Sequence, residues 1–202
     1  MIKNYIFDLG NVIAGYDPYV FTAKYINGEE NIKNIAEIVF DRTYWNKLDL
    51  GTITDKEVKE GIAGRVPEKL KASALMVYDN WMNDLIPIKG IKEIISDLKD
   101  KGYKLYLLSN ISIGFAESYK NIGWIKEILD LFDALVFSGP IGKVKPDAEI
   151  FHYLLDKYDL KAEECFFIDD SIINIEGAEK VGIKGYLFDS DVEKLREYLN
   201  LK

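Results

Sequence analysis

Several polar residues stand at the ends of short apolar runs, and their types suit a site that holds a cation and an anion together. Asp8 follows NYIF, Ser109 and Asn110 follow KLYLL, Asp169 and Asp170 follow CFFI, and Lys145 lies in KVKP beyond the run ALVFSG. Carboxylates brought together raise one another's pKa unless a cation neutralises them. Hard oxygen ligands of this kind suit Mg2+, which keeps waters and accepts phosphate oxygens. Such an ion, with Lys145 beside it, would shield a phosphoryl group and let the Asp8 carboxylate approach phosphorus in line. The product of that attack is an aspartyl-phosphate that water then hydrolyses. Ser109 and Asn110 offer neutral donors, and the backbone N–H groups of the turn after them favour non-bridging phosphate oxygens.

For these residues to meet, the apolar runs must be neighbouring strands. NYIFDLG, KLYLLSN, ALVFSG, CFFIDD and GYLFD read as buried parallel strands. Helical patterns separate the later ones: IKEIISDLKDKG, GFAESYKNIGWIKEIL, AEIFHYLLDKY, NIEGAEKVG and VEKLREYL. This alternation predicts an α/β fold with a doubly wound, Rossmann-like parallel sheet, whose ligands bind beyond the carboxyl ends of the strands. The interval from Asp17 to Pro87 breaks the rhythm and reads as helices. Asp17 is placed to cap a helix with Pro18 at its first position, Thr54 with Glu57 forms a capping box, and PEKLKASALMVYDNWMNDLI is the longest helical stretch. The expected organisation is a core of residues 1–15 and 88–202 and an all-helical cap of residues 16–87, hinged near Gly15 and Ile88.

Composition narrows the function classes. The chain has 202 residues, 48% of them hydrophobic, enough for one α/β domain with a modest insertion. Acidic residues number 34 against 26 basic ones, a net charge of −8, with no basic cluster to track a nucleic-acid backbone. No apolar run reaches membrane-span length, and the start KNYIFDLG lacks the features of a signal peptide. The single cysteine, Cys165, reads as a buried hydrophobe in a reducing compartment. These features predict a cytoplasmic protein that does not act on nucleic acid or membrane; the expected partner is the small phosphorylated molecule that the polar residues suit, and the chain is expected as a monomer or homodimer, a state that its composition does not reveal.

The residues FDLGNV, LLSN, KVKP and FFIDDSIINIEGA, in that order and with a helical insertion after the first, resemble the four motifs of the haloacid dehalogenase-like superfamily. The resemblance covers essentially the whole chain. It implies a hydrolase in which Asp8 attacks, the Gly10 carbonyl and an acidic residue of the fourth motif bind Mg2+, and Lys145, Ser109, Asn110 and Asn11 hold phosphate. Asp170 is the preferred direct ligand, with Asp169 close behind, and Asn174 is expected to order the loop. Most phosphatases of the superfamily carry DxD, whose second Asp serves as acid and base, and here that position is Gly10. The form DLGNV, with WNKLDLG in the cap, is similar to sugar-phosphate phosphatases acting on hexose 1-phosphates and to epoxide-hydrolase phosphatase domains. The alternatives are 2-haloacid dehalogenation, which the Asp169–Asp170 pair disfavours, and a phosphate-binding protein with weak turnover.

In the cap, Trp45, Arg42 and Trp81 are candidates for touching substrate, although aromatic residues in a small helical bundle usually pack. His152 falls in a helical apolar pattern, and as the sole histidine it leaves neither a Ser-His-Asp triad nor a histidine zinc site easy to build. Gly10 and Gly51 are expected to permit turns or close backbone approach.

Overall fold

The computed structural model describes residues 1–201. The strands are β1 (Asn4–Phe7), β2 (Ala14–Gly15), β3 (Ile86–Pro87), β4 (Lys104–Ser109), β5 (Ala134–Phe137), β6 (Cys165–Asp169) and β7 (Lys184–Leu187). Five of them form one sheet in the order β5-β4-β1-β6-β7, with every pair parallel. Chain order therefore runs outward from β1 through β4 to β5, then restarts on the other side with β6. This reversal opens a crevice at the carboxyl end of β1, where a doubly wound sheet binds its ligands.

The sheet is covered on both faces, so its strands are apolar on both. Phe7, Leu105, Leu107, Phe166 and Ile168 face one core cluster, while Ile6, Leu108, Cys165 and Phe167 face another. The flanking helices are amphipathic, and α6 (Ile91–Asp100) buries Ile91, Ile94, Ile95 and Leu98 at helical spacing.

Between β2 and β3 lie α1 (Pro18–Ala23), α2 (Glu29–Val39), α3 (Arg42–Asp49), α4 (Asp55–Arg65) and α5 (Glu68–Asp84). Asp17 Oδ1 accepts from the N–H groups of Tyr19 and Val20, and Pro18 occupies the first turn of α1. Thr54 and Glu57 close a reciprocal capping box at α4. The two short strands were not foreseen: Ala14 pairs with Pro87 and Gly15 with Ile86 in an antiparallel ladder too short to produce a periodic pattern. They tie together the points where the chain enters and leaves the helical insertion.

The remaining helices are α7 (Ile113–Ser118), α8 (Gly123–Leu129), α9 (Ser138–Ile141), α10 (Ala148–Lys157), α11 (Ile172–Lys180) and α12 (Val192–Tyr198). The stretch expected as one helix after β4 is two. A 3-10 turn at Tyr119–Asn121 and an extended Ile122 separate α7 from α8, with Gly123 opening the second helix. No helix of the described residues is long and apolar enough to cross a membrane.

Candidate active site

Two strand ends and one loop deliver the charged residues to a single point. Asp8 leaves β1, and its N–H donates to Ile168 O on the neighbouring strand. Asp169 is the last residue of β6 and is wholly buried, with Asp170 next to it and exposed. One carboxylate oxygen from each of Asp8, Asp169 and Asp170 lies within 4.8 Å of the others. Lys145, with a side chain only 1% exposed, reaches between two of them: its Nζ is 2.8 Å from Asp8 Oδ1 and 2.6 Å from Asp169 Oδ2.

The two contacts of Lys145 differ. The one to Asp169 is a hydrogen bond, whereas the one to Asp8 is an ion pair not aligned for one, so Asp8 Oδ1 remains a buried oxygen without a donor. Burial lifts the Asp8 carboxyl above the usual range, Lys145 pulls it down, and Asp169 pushes it up again. Burial also works against the Lys145 ammonium, but Asp8 and Asp169 more than offset it and the pKa is raised. The Asp170 carboxyl is raised, chiefly because it is partly withdrawn from water although the residue is exposed, with Asn11 acting in the opposite sense.

Asp169 is saturated with donors. Its Oδ1 accepts from Ser171 N at 2.8 Å and Asn174 Nδ2 at 3.0 Å, and its Oδ2 accepts from Lys145 and, at 3.2 Å, from the same Asn174 amide. Asp170 is held by one contact, Asn11 Nδ2 to Oδ2 at 3.1 Å. A carboxylate already engaged on both oxygens has little left for a cation, while Asp8 Oδ1 and Asp170 retain acceptor capacity. An unsatisfied buried oxygen facing other carboxylates is what a hard divalent ion would complete, so the donor set fits Mg2+.

Two residues expected at a phosphate are engaged elsewhere. The Asn110 side chain clamps the Lys145 backbone, donating to its carbonyl at 2.8 Å and accepting from its N–H at 2.7 Å. Asn11 has φ +52°, accepts from Tyr16 N at 2.9 Å and donates to Asp170, so it shapes the turn after Asp8 and orients a carboxylate. Ser109 is buried at the carboxyl end of β4.

Trp45 is also placed differently from the expectation of a substrate contact. It is 7% exposed, its Nε1 donates to Val39 O at 3.0 Å, and it packs among Tyr16, Phe40, Tyr78 and Trp81, so both its ring and its polar handle belong to the core. Trp81 is buried in the same group, Arg42 is exposed on α3, and His152 is exposed on α10. A Cβ at Gly10 would meet nothing nearer than Asp8 Oδ2 at 4.0 Å, so close approach does not require glycine there. Gly51, at φ +70° and with room for a Cβ only 2.3 Å from Gly139 O, does require it.

The sequence reading missed Ser138 and Asp49. Ser138, wholly buried at the start of α9, donates from Oγ to Asp49 O at 2.6 Å and accepts from Ile111 N at 2.8 Å, bridging α3 to the loop after β4. Burial pushes the Asp49 carboxyl up to about 7, against the pull of Arg42. Serine at a strand end and aspartate at a helix end are too common to be given a role from sequence, although Asp49 stands in the WNKLDLG stretch that carries part of the resemblance.

A family model for haloacid dehalogenase-like hydrolases matches residues 2–182. The chain belongs to that family of hydrolases. Among curated relatives of this family member is the sesquiterpene phosphatase astK of Aspergillus oryzae, 27% identical over 190 residues, covering 93% of this chain and 91% of that one. Another is the D-ribitol-5-phosphate phosphatase of Bacteroides thetaiotaomicron, 25% identical over 198 residues, covering 92% and 91%. A solved HAD family enzyme of Bacteroides thetaiotaomicron, in complex with magnesium and inorganic phosphate, superposes with a TM-score of 0.70 at 26% identity, covering 95% of this chain and 96% of that one.

Proposed function

We propose that this hydrolase is a Mg2+-dependent phosphatase of small phosphomonoesters, sugar phosphates such as a hexose 1-phosphate foremost, working in the cytoplasm through an aspartyl-phosphate on Asp8. The observation that carries this reading is the convergence of Asp8, Asp169 and Asp170 within 4.8 Å, with the Lys145 ammonium buried against two of them. The phosphatase names of the relatives and the magnesium and phosphate of the solved enzyme support it. The same acidic cluster speaks against dehalogenation, which has no use for a cation among three carboxylates.

In this reading Asp8, the Gly10 carbonyl and Asp170 hold the metal, and Asp169 holds Lys145 and the loop of Asn174. When bound, Mg2+ supplies positive charge to the phosphoryl oxygens and keeps Asp8 ionised. The Asp8 carboxylate attacks phosphorus, while the Lys145 ammonium and the groups at Ser109 and the following turn stabilise the spreading negative charge. Asn110 fixes Lys145 through its backbone, which keeps the ammonium at the bond-forming position. Water then attacks phosphorus and releases Asp8. The insertion of residues 16–87 acts as a cap that excludes bulk water and selects the alcohol portion of the substrate.

The test is inorganic phosphate release from a panel of hexose phosphates, pentitol phosphates and a prenyl monophosphate, with Mg2+ and with chelator. Turnover that needs Mg2+ and disappears in Asp8→Asn is expected. Turnover surviving Asp8→Asn, or none across the panel, would overturn the reading.

A further inference from the structure

The position two residues after Asp8, where most phosphatases of this superfamily place their acid and base, has no side chain, and the space beside it is open. A carboxyl able to replace it must come from another element that is seated beside Asp8 and Lys145. Asp49, the last residue of α3, is the carboxyl-bearing residue that the insertion seats beside this site: Ser138, which bonds its backbone carbonyl, also accepts from Ile111 N, next to the Asn110 that clamps Lys145. Its backbone carbonyl is bonded to Ser138, and Gly51, two residues on, is packed against the Gly139 backbone, so the end of α3 is seated directly on the loops that follow β4 and β5. Its carboxyl lies outside the cluster of three carboxylates but within electrostatic reach of Asp8 and Lys145.

Resting on the phosphatase reading, we infer that Asp49 is the general acid and base of the reaction, supplied by the helical insertion in place of the missing second aspartate. In the first step the protonated Asp49 carboxyl gives its proton to the ester oxygen as the P–O bond to the alcohol breaks and the bond from Asp8 to phosphorus forms. In the second, the Asp49 carboxylate takes a proton from water as the water oxygen bonds to phosphorus and the Asp8–phosphorus bond breaks. Phosphate leaves, Asp8 is again a carboxylate, and Asp49 is again protonated.

The groups facing Asp49 tune it in both directions. Burial favours the protonated form most, the Arg42 guanidinium on the same helix opposes it, Asp8 from β1 supports it, and Lys145 opposes it. Tyr16, beyond β2, is influenced by Asp49 and Arg42 together and stays a neutral phenol. Burial dominates this balance and raises the carboxyl, the direction that suits one group serving as acid in one step and base in the next.

The experiment compares Asp49→Asn with wild type, in Mg2+, on two substrates: the best alkyl or sugar phosphate of the panel and 4-nitrophenyl phosphate, whose leaving group needs no protonation. The ratio of the two rates is independent of how much of the variant is folded. The variant should lose ~100-fold or more on the alkyl phosphate. It should lose much less in the first, leaving-group-expelling step on the aryl ester, read as the burst of nitrophenol. The fall of kcat/KM at high pH on the alkyl phosphate should vanish, and Asp49→Glu should restore part of the rate. An unchanged rate ratio, or a wild-type pH profile in Asp49→Asn, would overturn the assignment while leaving the phosphatase reading intact. A wild type that releases phosphate from neither substrate would remove that reading, and this assignment with it.

Discussion

Replacing Lys145 by methionine keeps most of the side-chain volume and removes the charge that separates Asp8 from Asp169. In wild type the ammonium is 1% exposed and lies 2.8 and 2.6 Å from the two carboxylates. Breaking a buried ion pair from one side costs about 3–5 kcal/mol, because the carboxylates stay behind without their counter-charge. With a urea slope of ~2 kcal/mol/M, the unfolding midpoint of Lys145→Met in chelator at pH 8 should fall by about 1.5–2.5 M. The sign of the pH dependence follows from Asp8, whose folded pKa is already raised by burial and rises further once Lys145 is gone. A folded carboxyl with a raised pKa keeps a proton that the unfolded chain has released, so the folded state loses stability as pH rises from the unfolded value through the folded one. The deficit of the variant should therefore shrink between pH 8 and pH 5. Saturating Mg2+ at pH 8 should shrink it as well, since without the competing ammonium the variant's carboxylates bind the ion more tightly than those of wild type, and each tenfold gain in affinity narrows the deficit by about 1.4 kcal/mol. Urea titrations followed by circular dichroism, in chelator and in Mg2+ at both pH values, measure all four numbers. A deficit equal at pH 5 and pH 8 and untouched by Mg2+ would mean that Lys145 acts by packing alone, and the electrostatic account would fail.

Asp170→Asn should leave the melting temperature in chelator within a few degrees of wild type but abolish its rise with added Mg2+. Asp169→Asn, which turns an amide toward Lys145 and Ser171, should lower it even without metal, by a cost of about 3–5 kcal/mol; the opposite pattern would exchange their roles. Gly51→Ala combines a left-handed φ with a Cβ driven against Gly139 O and should cost about 2–4 kcal/mol, while Gly64→Ala in α4, which meets nothing, should be neutral or stabilising by up to ~1 kcal/mol in the same thermal melts. Trp45→Phe should lose about 1 kcal/mol with the hydrogen bond to Val39 and leave KM unchanged; a large KM change would return Trp45 to the substrate side.

The sheet was legible because each strand announces itself twice, once as a fully apolar run and once by the polar residue that ends it. Asp8, Asp169 and Asp170 were found by that punctuation, and Lys145 by its place before Pro146. The ends of α1 and α4 were readable because capping is a local bond between neighbours. What stayed hidden depends on contacts distant in sequence. Helix α3 reads RTYWNKLD, with only Trp45 and Leu48 buried, too sparse a face to signal where the helix packs. Asn110 could be recognised as a polar strand end, but only the fold reveals that its amide is spent on the Lys145 backbone 35 residues away. Trp45 misled because an indole in a cap has the same sequence appearance whether it faces a ligand or a ring of other aromatic side chains.

A proton donor borne by the inserted helices ties catalysis to how those helices sit. An aspartate in water is ionised at neutral pH and cannot act as an acid; its reference pKa of 3.8 becomes about 7 here chiefly through burial. What seats α3 on α9 is Ser138, bridging Asp49 O and Ile111 N, and the glycine pair 51 and 139, whose backbones admit no Cβ between them. Lifting the insertion away would hydrate Asp49, release its proton and withdraw the acid from Asp8 in one motion. On the proposed assignment, closing it would expel water from the phosphoryl group and reload the proton by the same change of surroundings. With an aspartate at position 10 the acid would stay on the core and remain beside Asp8 whether the site was open or shut. Glycine there would, on the proposed assignment, make the chemistry conditional on closure and restrain loss of the aspartyl-phosphate to stray water when the alcohol has left and the site reopens.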